Sequence, residues 1–171
     1  MNDNFSKCFD MLLQHEGGFV NDERDNGGMT NLGVTKSVLE MVRGREVTEQ
    51  EMRDLTPDDV MPVYKQLYWD KVKADHLPSG VDWCVFDWAV NSGPSRAAKA
   101  LQRAVNASVD GAIGPKTLAA VAERDPKEII EAMAEERELF YRALKDFDHF
   151  GKGWLRRNKE TRMSALGMAV A

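Results

Sequence analysis

Helix starts recur through this chain at intervals too short to leave room for a large sheet. Thr35 precedes a short run that Gly44 ends, Thr48-Glu49-Gln50-Glu51 has the form of a capping box, and Thr56-Pro57-Asp58-Asp59 opens another helix. In a capping box the Thr side chain accepts from the third helical N–H while the acid reaches back to the cap, so two orphan donors are satisfied together. Pro62 is expected either to delay that helix or to kink it. Val81 to Asn91 is apolar enough to be a central helix, and Ser92-Gly93-Pro94-Ser95 starts the helix Arg96 to Asn106. A turn-rich link leads to a helix over Lys116 to Ala122, and Asp125-Pro126-Lys127-Glu128 combines a cap, a first-position proline and an acid. The helix that follows places Ile129, Ile130, Met133, Phe140, Leu144 and Phe147 in one sector of about 100°. Gly151 to Ala171 is a basic, partly helical end around Trp154.

One break stands out. Phe5, Cys8, Phe9 and Leu12 recur at helical spacing and predict a first helix from Asn2 to His15, capped by Asn2, Asp3 or Asn4. Stepping about 100° per residue puts Glu16 near the middle of that apolar stripe, just before Gly17-Gly18. Two readings stand. A core-facing carboxyl at a helix C-terminus holds its proton, because desolvation and the carbonyl ends both disfavour the anion, and a general acid needs that. Alternatively the helical pattern drifts at its end and Glu16 reaches solvent. Gly17 and Gly18 are expected to give a left-handed exit and room for a ligand. The next stretch is dense in Gly, Asn and Asp, and Asn26-Gly27-Gly28 signals a small hairpin or ordered loop. The fold class is therefore mainly α, with a small β-hairpin or irregular excursion after the first helix.

Composition narrows the function classes. At 171 residues, 43% apolar and 30% charged, the chain can bury one sizeable core or two small lobes sharing one. A net charge of −5 disfavours general nucleic-acid binding. The charge is uneven: residues 1–70 carry 14 acids against 7 bases, and residues 137–171 carry 4 acids against 8 bases. A basic end of this kind suits an anionic polymer or a solvated helix face. Cys8 and Cys84 lack metal-ligand spacing and read as buried small hydrophobes. His76 and His149 have no partners at metal spacing, and the Asp110-Gly111…Gly114 loop lacks the further acids of a calcium loop. No metal and no cofactor is expected. Without a signal-peptide core or an apolar run of about 18 residues, neither export by a leader nor stable membrane insertion is expected.

Glu16, Asp25 and Thr30 form a possible constellation. Glycoside hydrolysis needs a protonated acid for the leaving oxygen and an ionised carboxylate for the oxocarbenium-like centre or the water. Glu16 suits the first task by burial, and Asp25 suits the second in a loop with free N–H groups. Thr30 would hold the water or orient Asp25. Asp in a turn is equally at home for the turn alone. Tyr68 and Trp69 are either sugar-stacking rings or core, with core favoured. Asn91 either hydrogen-bonds an N-acetyl group or caps its own helix, and His15 is expected to face solvent.

Glu16-Gly17-Gly18-Phe19, Asp25-x-Gly27-Gly28-x-Thr30 and Gly33-Val34-Thr35 together resemble the N-terminal signature of the glycoside hydrolase family 108 muramidases. These are peptidoglycan-cleaving enzymes found mostly as phage endolysins. The resemblance continues through Tyr68-Trp69-Asp70, Leu77-Pro78-Ser79-Gly80-Val81-Asp82 and Phe86-Asp87-Trp88-Ala89-Val90-Asn91-Ser92-Gly93-Pro94. The C-terminal part is similar to the predicted peptidoglycan-binding domain often joined to this family. There the matching stretches are Leu101-Gln102-Arg103-Ala104, Asp110-Gly111-x-x-Gly114-Pro115-Lys116-Thr117-Leu118 and Gly153-Trp154-Leu155-x-Arg157.

The resemblance implies a lysozyme-like helical fold, with a catalytic part over residues 1–92 and a peptidoglycan-binding-like part over 93–171 packed on the same core. It implies that Glu16 is the general acid of lysozyme-type cleavage. Other phage-type lysozymes share the Glu–Asp–Thr order but place the Thr one residue further on, which bears on Thr30 more than on Asp25. Phe19 stands where Tyr is more common. The partner implied is the peptidoglycan glycan strand. The enzyme would be a monomer held in a host cytoplasm until a helper such as a holin lets it reach the wall. A lytic transglycosylase and a non-catalytic wall-binding module are the competing functions.

Overall fold

The structure, a computed structural model, describes residues 4–15, 17–21 and 28–170. The chain packs as two compact units, one of Phe5–Leu67 and the other of Met1–Asn4 with Tyr68–Ala171.

In the smaller unit, α1 (Asn4–Leu13) buries Phe5, Cys8, Phe9 and Leu12, the stripe expected from their spacing. The α-helix closes earlier than expected. The Gln14 and His15 amides donate to the Met11 and Leu12 carbonyls at 3.3 and 2.9 Å, three residues back rather than four. The wheel angle used to place Glu16 therefore holds only as far as Leu13. The sheet is small and antiparallel, with β1 (Val20–Asn21), β2 (Met29–Asn31) and β3 (Val34–Thr35) in that order. Leu32 and Gly33 join β2 to β3 with φ of 53° and 77°. Positive φ at both central residues gives the turn the twist that a two-residue hairpin needs. Leu32 is a poor residue for that conformation, and its carbonyl accepts from the Tyr64 hydroxyl at 2.7 Å.

The three helix starts after the sheet form as expected. Thr35 caps α2 (Lys36–Arg43) through the Val38 amide, and Gly44 ends it. The Thr48–Glu51 box opens α3 (Glu49–Arg53), and a Thr56–Asp59 box opens α4 (Pro57–Tyr64). Pro62 does not delay α4. Two residues beyond it the α geometry gives way to a π turn, Lys65–Trp69.

The larger unit is built round α5 (Val81–Ser92), in which every residue from Val81 to Ala89 is buried. It packs against α6 (Pro94–Ala104), α8 (Pro126–Arg142) and α9 (Phe147–Ala169), with α7 (Pro115–Ala122) between α6 and α8 in sequence. Gly80, just before α5, has φ of 94°, and a Cβ there would lie 2.4 Å from the Ala165 carbonyl oxygen. Only glycine lets α9 come this close. The α8 helix stops at Arg142, short of the expected Phe147, and Leu144 is left exposed.

A charge sits inside this unit. Asp87 is wholly buried, and its Oδ2 accepts from Arg137 Nη1 at 2.8 Å while its Oδ1 accepts from Arg157 Nη2 at 2.8 Å. The Thr161 hydroxyl donates to Oδ2 at 3.0 Å. Burial pushes the Asp87 carboxyl up, but the two guanidinium groups outweigh it and hold its pKa down at about 2. Asp87 is on α5, Arg137 on α8, and Arg157 and Thr161 on α9, so one carboxylate pins three helices. Removing one member of such a set leaves the others charged and unpaired, at about 3–5 kcal/mol. Asp87→Ala is expected to lower unfolding free energy by that amount in urea titration. A depressed folded-state pKa stabilises above the unfolded carboxylate value, and the stabilisation fades as pH falls through the folded one. The wild-type protein should thus lose roughly 2 kcal/mol between about pH 4 and pH 2 from this group, and Asp87→Ala should show a correspondingly flatter acid limb.

Candidate functional site

Glu16 and Asp25, the carboxyl pair expected from the sequence, lie outside the described residues. The structure gives their flanks. Gly17 and Gly18 are exposed, and a Cβ on either would meet nothing within 4 Å among the described residues. Among the described residues, nothing closes off the backbone at these two glycines. Gly18 does not take the expected left-handed φ. Beyond it the Phe19 ring lies 4.2 Å from the Arg53 guanidinium carbon, a cation–π contact that ties this stretch to α3. His15 is half-buried rather than facing solvent freely.

Thr30 is the middle residue of β2, opposite Val20 on β1 and Thr35 on β3. Successive strand side chains alternate in direction. Asn31 turns inward, is 6% exposed, and donates to the Met52 carbonyl at 2.8 Å. Thr30 is on the opposite, half-buried face. Pairing on both sides of β2 and the Asn31 anchor fix the backbone from which that hydroxyl projects.

The other three candidates are in the larger unit, and they separate. Trp69 is fully buried: its ring meets Phe86 edge-on at 5.2 Å, and its indole N–H donates to Asp75 at 2.9 Å. The expected alternative of a sugar-stacking ring is corrected for Trp69, because a ring with no exposed face has nothing to offer a glycan. Tyr68, its neighbour, is half-buried. Asn91 is exposed, and its carbonyl oxygen accepts from the Tyr141 and Ser92 hydroxyls. Its acceptor side is thus occupied, and its amide N–H₂, with no partner among the described residues, is the group free to donate to a ligand carbonyl.

Tyr141 also accepts from Arg137 Nε at 2.9 Å, so a chain of bonds runs from exposed Asn91 through Tyr141 and Arg137 to Asp87. Spacing along the chain does not single out Arg137 and Arg157 as site-shaping residues. The signal that could find them is an Asp in a helix with no polar face, which demands a cation. With its pKa at about 2, Asp87 is an anion at any working pH and cannot serve as a proton donor. Burial lifts the Cys84 thiol to about 12, which leaves it inert as a nucleophile. Among the described residues, no group of three His, Cys, Asp or Glu side chains could hold a metal ion.

A second ordered constellation lies in α6 and the loop after it. Gln102 is fully buried and donates to Asp110 Oδ1 at 2.8 Å and the Ala112 carbonyl at 3.0 Å. Its oxygen accepts from the Asp110 and Gly111 amides at 3.0 and 2.9 Å. One amide side chain thereby replaces the backbone partners of a whole turn. Asp110 is held below the usual carboxylate range by the Ala112 amide and by Gln102, so its Oδ1 is committed to the loop.

Residues 9–93 match the family described as Glycosyl hydrolase 108, and residues 96–159 match the Predicted Peptidoglycan domain. A solved structure, that of SagA from Brucella abortus, is similar over 97% of this chain and 95% of its own, at 40% identity and a TM-score of 0.85. The chain belongs to the glycosyl hydrolase 108 family. No curated protein matches it. Family membership makes it a glycoside hydrolase acting on peptidoglycan. The two matches meet between residues 93 and 96, whereas the packing divides the chain between Leu67 and Tyr68. In this glycosyl hydrolase 108 chain, the Gln102 clamp gives the Leu101-Gln102 and Asp110-Gly111 motifs a structural purpose. No helix among the described residues is long and apolar enough to cross a membrane.

Trp69→Ala is expected to cost about 3–5 kcal/mol of stability, the range for emptying a buried indole site. Trp69→Phe should cost less, because most of the ring packing stays while the Asp75 bond and part of the indole volume are lost. Urea unfolding of the two variants decides between a core role and a surface one.

Proposed function

We propose that the chain hydrolyses the β-1,4 bond between N-acetylmuramic acid and N-acetylglucosamine, with Glu16 as general acid and Asp25 as charge stabiliser or water activator. Glu16 gives its proton to the glycosidic oxygen as the C1–O bond breaks. Asp25, ionised, faces the developing positive charge at C1 or takes a proton from the water that adds there. Each cleavage consumes one water and leaves a free reducing end. Thr30 orients Asp25 or that water from its fixed place on β2. Tyr68 and Asn91 are proposed substrate contacts, Asn91 as a donor to an N-acetyl carbonyl.

The observation that carries this reading is the family match over residues 9–93, which takes in Glu16, Asp25 and Thr30 together. The space that the described residues leave beside Gly17 and Gly18 supports it. So does the commitment of Asp87 to an ion network, which keeps that buried carboxylate from competing for the acid role. We also infer action as a monomer that reaches the wall from the cytoplasm with the help of a membrane-opening partner, in the manner of an endolysin.

Glu16→Gln is expected to abolish lysis of outer-membrane-permeabilised cells while leaving the melting temperature unchanged, since an isosteric amide cannot donate a proton. Asp25→Asn should lower kcat by at least ~10²-fold, the scale at which a positioned acid or base acts. Product analysis should show free reducing ends. Anhydromuramyl termini would replace hydrolysis with transglycosylation, and full activity of Glu16→Gln would remove the assignment.

A further inference from the structure

The larger unit carries a concave site that the hydrolytic reading does not use. It has a volume of about 410 Å³ and is lined by residues 92–96 with Lys99 and Arg103, within the range of roughly 300–1,000 Å³ seen for small-molecule sites. Arg96, Lys99 and Arg103 recur at i, i+3 and i+7 along α6, so their side chains project from one face of that helix. Three cations on one side of a pocket that also holds the Ser95 hydroxyl make a receptor for an anion.

The three are not equivalent. Arg103 pairs with Glu136, so part of its charge is already answered. The Arg96 guanidinium carbon lies 4.3 Å from the centre of the Phe140 ring, which holds its plane in place and leaves its N–H edge free. It has no carboxylate at salt-bridge distance among the described residues, and neither has the exposed Lys99 amine. The floor is rigid. A Cβ on Gly111, whose φ is 83°, would lie 2.8 Å from Ser95 Oγ and 3.3 Å from Lys99 Cε. Gly111 thus lets the loop pack directly under the pocket, and Gln102 clamps that loop through both Asp110 and Ala112.

We propose that this pocket binds the carboxylates of the peptide stem of peptidoglycan. The proposal rests on the reading of the chain as a wall hydrolase and extends it to the second half of the polymer. On a peptidoglycan strand the lactyl carboxyl of muramic acid is tied up as an amide to the peptide, and the sugars are neutral. The negative charge that a basic pocket can attract is therefore carried by the stem. Arg96 offers a planar fork matched to a carboxylate, Lys99 a mobile point charge, and Ser95 a neutral donor at the rim, the Ser92 hydroxyl being already given to Asn91. The cationic face also begins at the start of the segment that matches the peptidoglycan domain, residues 96–159. Stem binding would hold the substrate by a part remote from the bond that breaks.

The test is titration of the full-length protein with a synthetic stem tetrapeptide, L-Ala–γ-D-Glu–diaminopimelate–D-Ala, by calorimetry at low and moderate salt. Its fully amidated counterpart and inorganic phosphate serve as separate arms. Saturable binding of the acid peptide is expected, weakening as salt rises and falling at least fivefold for the amidated peptide. Lys99→Glu should weaken it at least tenfold and Arg96→Gln at least threefold. Lys99 is exposed and unpaired among the described residues, so its replacement leaves the melting temperature in place and the comparison cannot be lost to misfolding. Absence of saturable binding, equal binding by Lys99→Glu, or phosphate bound more tightly than the peptide would each overturn the proposal. No glycan is cleaved in this experiment. Its failure leaves the hydrolytic assignment standing, and an active Glu16→Gln enzyme leaves the stem pocket standing.

Discussion

A single carboxylate sets the terms for the larger unit. Asp87 stands in the stretch of α5 where every residue from Val81 to Ala89 is buried, and taking its charge out of water costs several kcal/mol unless neighbours replace the lost hydration. Arg137, Arg157 and Thr161 replace it, from two other helices, with bonds of 2.8 to 3.0 Å. Apolar packing alone would tolerate small slides of α8 and α9 over α5. A two-oxygen acceptor met by two guanidinium groups and a hydroxyl tolerates few. The network therefore fixes register where the apolar packing is permissive. It also extends outward through Tyr141 to Asn91, so one surface amide takes its orientation from the deepest charge in the unit.

The elements that capping chemistry defines are legible in the sequence. Thr35, Thr48, Thr56 and Asp125 all cap the helices expected of them, because a cap is a local hydrogen bond that needs no tertiary partner. The stripe of Phe5, Cys8, Phe9 and Leu12 is legible for the same reason. Helix ends are less so. α8 breaks at Arg142 although the apolar sector continues to Phe147, because the turn that leads into α9 overrides the periodicity. Nor does sequence spacing reveal Leu32-Gly33 as a hairpin turn, since Leu at positive φ is held there by a long-range bond from Tyr64.

Legibility of the site follows the same division. A buried acid on an apolar helix can mark a proton donor, and in α5 the same pattern signals an ion pair instead. Which of the two a carboxyl becomes depends on the cation facing it, and the cations that face Asp87 come from positions 50 and 70 residues away. Trp69 shows the complementary difficulty, because an aromatic side chain looks alike in a string of letters whether it meets a sugar or Phe86. The Leu101-Gln102 and Asp110-Gly111 motifs are visible as patterns. Their purpose is not, because it lies in one buried amide answering four backbone and side-chain groups at once.

Gly80 against the Ala165 carbonyl has a bearing on how chains of this kind can recombine. The two family segments suggest parts that could be exchanged at residue 94, yet α5, from the first segment, shares its interior with α8 and α9, which follow that point. A chimera cut there would set a foreign residue against a bare backbone and strand a carboxylate opposite the wrong helix.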